Sequence, residues 1–227
     1  MIKFTNVTKT YPNGTQALRN LNLTINDGEF VFVVGPNGAG KTTLTKLLLH
    51  EETPTSGQVE VNGYDVGNIK KRKIPYLRRT VGVVFQDFRL FPNMTVFDNI
   101  AFAMHVVGTP KRVIKKHVNT LLKLVELEDR ASHYPHQLAG GEQRRVALAR
   151  ALANNPDPII ADEPTSNSDP ITSINLMKIL MKVQQYNKTV IVITHDISIV
   201  NHFDKRVVTI SDGTVAMDVP GGDENEE

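Results

Sequence analysis

Residues 30–50 restrict the fold of this chain more than any other stretch. Phe30-Val-Phe-Val-Val34 is a short apolar run of β-branched and aromatic residues, the composition of a buried strand. It leads directly into Gly35, Pro36, Asn37, Gly38, Ala39, Gly40, Lys41 and Thr42, which fit the spacing G-x-x-x-x-G-K-[ST]. From Thr43 to His50 the chain then reads as a helix. Glycines at these places let backbone N–H groups wrap an anion closely, because a Cβ would obstruct the positive-φ turns such a nest requires. Lys41 adds a cation for β- and γ-phosphates, the Thr42 hydroxyl can ligate Mg²⁺, and the helix start adds its positive dipole end. A strand, loop and helix of this kind form a nucleoside-triphosphate site.

Two later stretches narrow the class. Leu138-Ala-Gly-Gly-Glu-Gln-Arg-Arg-Val-Ala-Leu-Ala-Arg-Ala-Leu152 starts with paired glycines and continues as an unbroken helical segment. Val146, Leu148, Ala149 and Leu152 supply its buried stripe, with Arg144, Arg145 and Arg150 expected largely off it. Such a start offers free N–H groups to an anion. Next, Pro158-Ile-Ile-Ala-Asp162-Glu163 reads as an apolar strand ending in two carboxylates.

The order of phosphate loop, Gly-Gly helix start and acidic strand end resembles the ATP-binding cassette (ABC) ATPases, and the resemblance covers nearly the whole chain. It implies an α/β fold: a P-loop NTPase core with a mostly parallel sheet, an N-terminal antiparallel β-subdomain and a helical subdomain at about 87–155. It also implies a homodimer in which Ala139, Gly140, Gly141 and Glu142 of one subunit close over ATP held by the phosphate loop, Thr43 included, of the other. Tyr11, in Lys9-Thr-Tyr-Pro12, matches the aromatic that stacks on adenine; its alternative is local packing at a strand end. Gln86 matches the glutamine that senses Mg²⁺ and the attacking water. Asp162 matches the Mg²⁺ ligand, Glu163 the residue that orients or deprotonates that water, and His195 the histidine that touches the γ-phosphate. Ser166-Asn-Ser-Asp169 falls where the two subunits of the family meet. Two positions depart from the common pattern: Ala139 replaces a serine, and Ser168 a leucine.

Between Phe85 and Phe97 stand four phenylalanines. The run Phe85-Gln-Asp-Phe-Arg-Leu and the Gly-Gly-Glu-Gln helix start resemble the bacterial cell-division cassettes of this family. That implies a four-span membrane partner of FtsX type, received near Phe88–Phe97, and ATP cycling that regulates peptidoglycan hydrolases. The phenylalanines could equally serve core packing. The neighbouring reading is a lipoprotein-release or macrolide-type exporter subunit. Translation factors of the family carry two cassettes, and chromosome-maintenance members insert long coiled coils. This chain has neither, so no nucleic-acid partner is expected.

Composition sets the outer limits. A chain of 227 residues with 40% hydrophobic content can bury one substantial core. No apolar stretch approaches the ~20 residues of a membrane span, and Met1-Ile-Lys-Phe reads as a strand rather than a signal peptide. The absence of cysteine excludes disulfides and thiol chemistry. A peripheral position on the cytoplasmic face of the membrane is therefore expected. Lys70 to Arg79 holds six basic and no acidic side chains, read as a solvated face or a contact to anionic lipid headgroups. Residues 1–217 are expected to form a single domain, and 218–227, with five acidic residues and no basic ones, a disordered tail.

Overall fold

The computed structural model describes residues 1–166 and 168–222. The chain opens with β1 (Ile2–Thr10) and β2 (Gln16–Ile25), then β3 (Phe30–Val34) and α1 (Lys41–Leu48). Next come β4 (Ser56–Val61), β5 (Tyr64–Asp65), α2 (Ile74–Thr80) and β6 (Gly82–Val84). Three helices follow: α3 (Val96–Val106), α4 (Lys111–Leu124) and α5 (Gly140–Leu152). The remainder alternates as β7 (Ile159–Asp162), α6 (Pro170–Gln184), β8 (Val190–Thr194), α7 (Ile197–Val200), β9 (Arg206–Ser211) and β10 (Thr214–Val219).

These strands form two sheets. An antiparallel sheet has the order β2-β1-β4-β5, and a six-stranded sheet the order β10-β9-β3-β8-β7-β6. In the second, β9, β3, β8, β7 and β6 are parallel, and β10 closes one edge antiparallel. Parallel strands must be covered on both faces, and period-two alternation divides their side chains between two cores. Phe30, Phe32 and Val34 of β3 face the core shared with α3, α4, α5 and α6. Val31 and Val33 face the core shared with α1 and the antiparallel sheet. β8 divides the same way, Val190 and Val192 to one side and Ile191 and Ile193 to the other. All five β3 residues are buried, as are all five of β8, so the loop that follows springs from a fully enclosed strand at the centre of the sheet.

Local signals end the helices where they should. Gly108-Thr-Pro110 separates α3 from α4, since a proline cannot continue a helix from within. Thr95 accepts a hydrogen bond from the Asp98 N–H to cap α3. Asp169 does the same for α6 by accepting from the Thr172 N–H, with Pro170 at the first helical position. In α4 the buried residues Ile114, Val118, Leu121 and Leu122 keep one helical face.

The expected tail boundary moves. Asp218 and Val219 belong to β10, because Asp218 takes a bidentate ion pair from Arg206 on β9. Arg206 also donates to Glu29 and to the Thr24 carbonyl, binding the sheet edge to the start of β3. A carboxylate that reads in sequence as solubilising is thus a structural partner. Residues 223–227 of the expected tail lie outside the described residues.

Candidate active site

One cleft of about 1370 Å³ gathers the chemistry-bearing residues at the carboxyl ends of the parallel strands. Asn37, Gly38, Gly40, Lys41, Thr42 and Thr43 form one wall; Gln86, Asp162, Glu163 and His195 also line it, as do Ala139, Gly140, Gly141 and Glu142. Each is placed by an element end. Lys41 begins α1 immediately after β3, Asp162 ends β7, and His195 follows β8.

The phosphate loop is held largely by its own backbone. Ala39 N–H donates to the Pro36 carbonyl, and the Lys41 ammonium donates to the carbonyls of Gly35 and Pro36 at 2.5 and 3.0 Å. Among the described residues, the N–H groups of Asn37 and Gly38 find no acceptor, and the first turn of α1 has none within the helix. That is a row of donors aimed at an anion. Gly40 is the residue that glycine alone satisfies: its φ is +107°, and a Cβ there would stand 2.5 Å from the Ala17 carbonyl oxygen. Gly35, Pro36 and Ala39, expected among the binding residues, do not line the cleft. Tyr11 also stands outside the cleft wall; its hydroxyl lies 3.2 Å from Thr43 Oγ1, and Lys9 Nζ lies 5.2 Å from its ring centre.

The carboxylates have different surroundings. Burial, and secondarily the adjacent Glu163 charge, raise the Asp162 pKa above the usual carboxylate range, with Lys41 opposing. Glu163 has a left-handed backbone, φ +49°, anchored by its N–H on the Ile193 carbonyl. Its Oε1 accepts from His195 Nδ1 at 2.9 Å, while its Oε2 is buried without a partner. His195 is in turn placed by Asp196, whose side chain accepts from the Ser198 and Ile199 N–H groups to cap α7. Among the described residues no three His, Cys, Asp or Glu side chains converge on a metal position. Thr42, Gln86 and Asp162 nevertheless fit Mg²⁺, which takes one or two carboxylates and completes its shell with water and phosphate oxygens. A half-buried carboxyl whose pKa is raised by burial and by a second carboxylate is a position a divalent cation would relieve.

At the start of α5, Ala139 is the N-cap with extended backbone, and its N–H donates to Glu142 Oε2 at 2.9 Å. This is half of a capping box, since alanine has no oxygen to return the bond. That contact, followed by Arg130, holds the Glu142 carboxyl below its usual range. Gly140 faces open space, whereas a Cβ on Gly141 would stand 2.8 Å from Thr172 Cγ2 on α6. The two glycines therefore serve different ends, access at Gly140 and helix packing at Gly141.

The arginines of α5 correct the sequence expectation. Arg144 is only 5% exposed and donates through Nη2 to the Ser166 carbonyl at 2.6 Å. Arg150 turns inward and donates to the carbonyls of Phe88 and Arg89 at 2.7 and 2.5 Å. Spacing held the clue: Arg144 precedes Leu148 and Leu152 by four and eight residues, and Arg150 follows Val146 by four. Charge alone misassigned them to the surface. Asn99 went unnoticed as well. Fully buried on α3, it accepts from the Phe91 N–H and donates to the carbonyls of Phe91, Met94 and Thr95.

Those side chains hold residues 85–95, an irregular segment between β6 and α3. Of its phenylalanines only Phe91 is exposed, at 37%; Phe88, with Phe97 on α3, packs on the helical core and Phe85 on the other. The Phe91 ring packs against Phe102 of α3, itself 38% exposed, with ring centres 4.8 Å apart and planes tilted by 58°, and exposed Val106 lies one turn further. The apolar surface is therefore shared between the loop and α3. In the basic stretch, Lys70, Lys71, Arg72 and Lys73 are exposed, whereas Arg78 is spent on the Leu49 and His50 carbonyls at the end of α1.

Comparison with known proteins agrees with this layout. Residues 18–166 match the ABC transporter family. The chain is 50% identical to the cell division ATP-binding protein FtsE of Bacillus subtilis over 98% of both chains. It is 45% identical to the FtsE of Mycobacterium tuberculosis, covering 98% of this chain and 97% of that one. Its structure superposes with a TM-score of 0.87 on the cassette MJ0796, solved as a dimer in a post-hydrolysis state bound to ADP and Pi, which is 38% identical and covered to 98%. With its phosphate loop, paired carboxylates and glycine-led helix lining one cleft, the chain belongs to the ABC transporter family of ATP-binding cassettes.

Proposed function

We propose that this protein is the ATP-hydrolysing subunit of an FtsEX-type membrane complex, working as a nucleotide-sandwich homodimer whose cycle controls peptidoglycan hydrolysis during cell division. The observation that carries the ATPase reading is Glu163. One of its oxygens is engaged by His195, and the other is buried, unpartnered and in the cleft with Lys41, Thr42 and Asp162. A free carboxylate oxygen in such a place is poised to take a proton from water.

The reaction then follows from positions. The free N–H groups of the loop and Lys41 hold the β- and γ-phosphates. Thr42, Asp162 and Gln86 would hold Mg²⁺, which supplies charge neutralisation to the phosphate oxygens. Glu163 Oε2 accepts the proton as the water oxygen bonds to the γ-phosphorus. The bond from that phosphorus to the bridging oxygen breaks, and ADP leaves. The open N–H groups at Gly140 and Gly141 of the second subunit complete the anion's surroundings, which is why a dimer is needed. Glu163→Gln is expected to keep ATP binding, lower turnover by roughly 10²–10⁴ and accumulate an ATP-bound dimer. Turnover within tenfold of wild type removes Glu163 from this role.

The membrane partner is read from the apolar surface of Phe91, Phe102 and Val106, a patch suited to an amphipathic helix with anchors at i, i+3 and i+4. The exposed Lys70–Lys73 cluster supports a contact with anionic headgroups. Phe91→Asp places a carboxylate in the dry contact and is expected to cost more than about 2 kcal/mol of docking while sparing basal hydrolysis. Co-purification of the membrane partner with the variant measures this; undiminished binding moves the docking site elsewhere.

A further inference from the structure

Glu163 sits in a left-handed turn, and something must hold that turn in place. The Ser166 hydroxyl donates to the Glu163 carbonyl at 3.0 Å, and the Ser166 N–H reaches the same carbonyl at 3.3 Å. The Ser166 carbonyl in turn accepts from Arg144. Arg144 is an unusual group to spend on one carbonyl: it is 95% buried, its Nε has no partner, and no carboxylate lies within 4 Å of it among the described residues. Its guanidinium also lies 4.9 Å from the Phe88 ring centre, in the loop that carries Gln86. A buried cation with no carboxylate partner is costly, so its presence here asks for a reason beyond packing. Arg144 stands one turn into α5, the helix whose first residues are Gly140 and Gly141. It is thus the direct link between the glycine-led helix start and the turn bearing Glu163.

We propose that Arg144 is a positioning residue for Glu163, transmitting the seating of the α5 glycines on the partner's nucleotide to the carboxylate of its own subunit. The inference rests on Glu163 being the proton acceptor. Arg144 also lines the cleft, but its hydrogen bond goes to the Ser166 carbonyl; without it the turn can relax and Oε2 loses its alignment. The effect should fall on kcat and leave KM for ATP untouched.

The test uses the full chain with Mg-ATP. Arg144→Met should lower kcat by about 10–100-fold with KM within twofold. In the Glu163→Gln background it should lower residual turnover no further, because the group it positions is already disabled. That double variant should still form the ATP-dependent dimer. Arg144→Lys, whose ammonium can still donate to Ser166, should recover most of the turnover, and it carries the test if the methionine variant does not fold. Unchanged kcat in Arg144→Met, additivity with Glu163→Gln, or loss of dimerisation each overturns the proposal. Should Glu163→Gln by itself hydrolyse ATP normally, the underlying active-site reading has failed instead, which the single variant shows separately.

Discussion

Two loops face the nucleotide cleft and are built on opposite plans. The phosphate loop holds itself: its lysine bonds to carbonyls five and six residues back, and its shape comes from glycine conformations. The segment from Phe85 to Thr95 has turns of its own, Phe88 N–H to the Phe85 carbonyl and Met94 N–H to the Phe91 carbonyl, but relies on distant side chains as well. Phe88 and Arg89 both have positive φ, a conformation ordinary side chains resist, and their carbonyls are held by Arg150 from sixty-odd residues away. Its other end is held by Asn99 from α3. A self-contained loop gives a constant anion site. A loop gripped by two helices can report what those helices do, which suits a segment lying between the catalytic cleft and an exposed apolar surface.

The contrast can be broken experimentally, and the largest effect is expected in the phosphate loop. Gly40→Ala must adopt φ near +107° and push against the Ala17 carbonyl. Strain of about 3 kcal/mol is expected, enough to weaken ATP binding by roughly 100-fold or more. Binding of a fluorescent ATP analogue measures it, and near-normal affinity would show the loop to be less self-determined than argued.

Asn99→Ala comes next. It strands the Phe91 N–H and the Met94 carbonyl, while the Phe91 and Thr95 carbonyls keep backbone donors, and is expected to cost about 2 kcal/mol of stability. It should also impair partner docking, with ATP affinity kept within twofold. If ATP affinity falls in step with docking, the two loops are not independent and the comparison fails.

The smallest effect belongs to Ala139→Ser. The new hydroxyl can accept from the Glu142 N–H and complete the capping box, worth about 1 kcal/mol and a melting rise of about 2–4 °C without nucleotide. If it instead reaches the partner's phosphate, the ATP-dependent dimer tightens by about 10–100-fold and the nucleotide-free protein is unchanged. Melting without ATP and sedimentation with ATP, in the Glu163→Gln background, separate the two fates of one oxygen.

Much of the molecule was legible beforehand, and the particular residues show why. Phe30 to Lys41 declares a strand, a turn and a helix start within a dozen positions, and the bonds from Lys41 to the Gly35 and Pro36 carbonyls are made among them. The double burial of β3 followed from its unbroken apolar run. Asp162, Glu163 and His195 end or follow apolar strands, and a parallel sheet brings such ends to one edge. Arg144, Arg150 and Asp218 were misjudged because charge was taken as a sign that a side chain stands free in solvent; Arg144 is buried, and Asp218 is exposed but ion-paired. Each is neutralised or hydrogen-bonded by a group distant in sequence.

The chain's own order of residues determined the α/β class, the anion-site motif and the two adjacent carboxylates at a strand end, because spacing along strands and helices is a local property. Only the tertiary structure decided that Phe91 is exposed while Phe88 and Phe97 are packed, that Gly141 serves helix contact while Gly140 stays open, and that Arg144 lies beneath the Glu163 turn. Burial and hydrogen-bond partners depend on what an element packs against, and the partner surface comes from chain segments that no local pattern encodes.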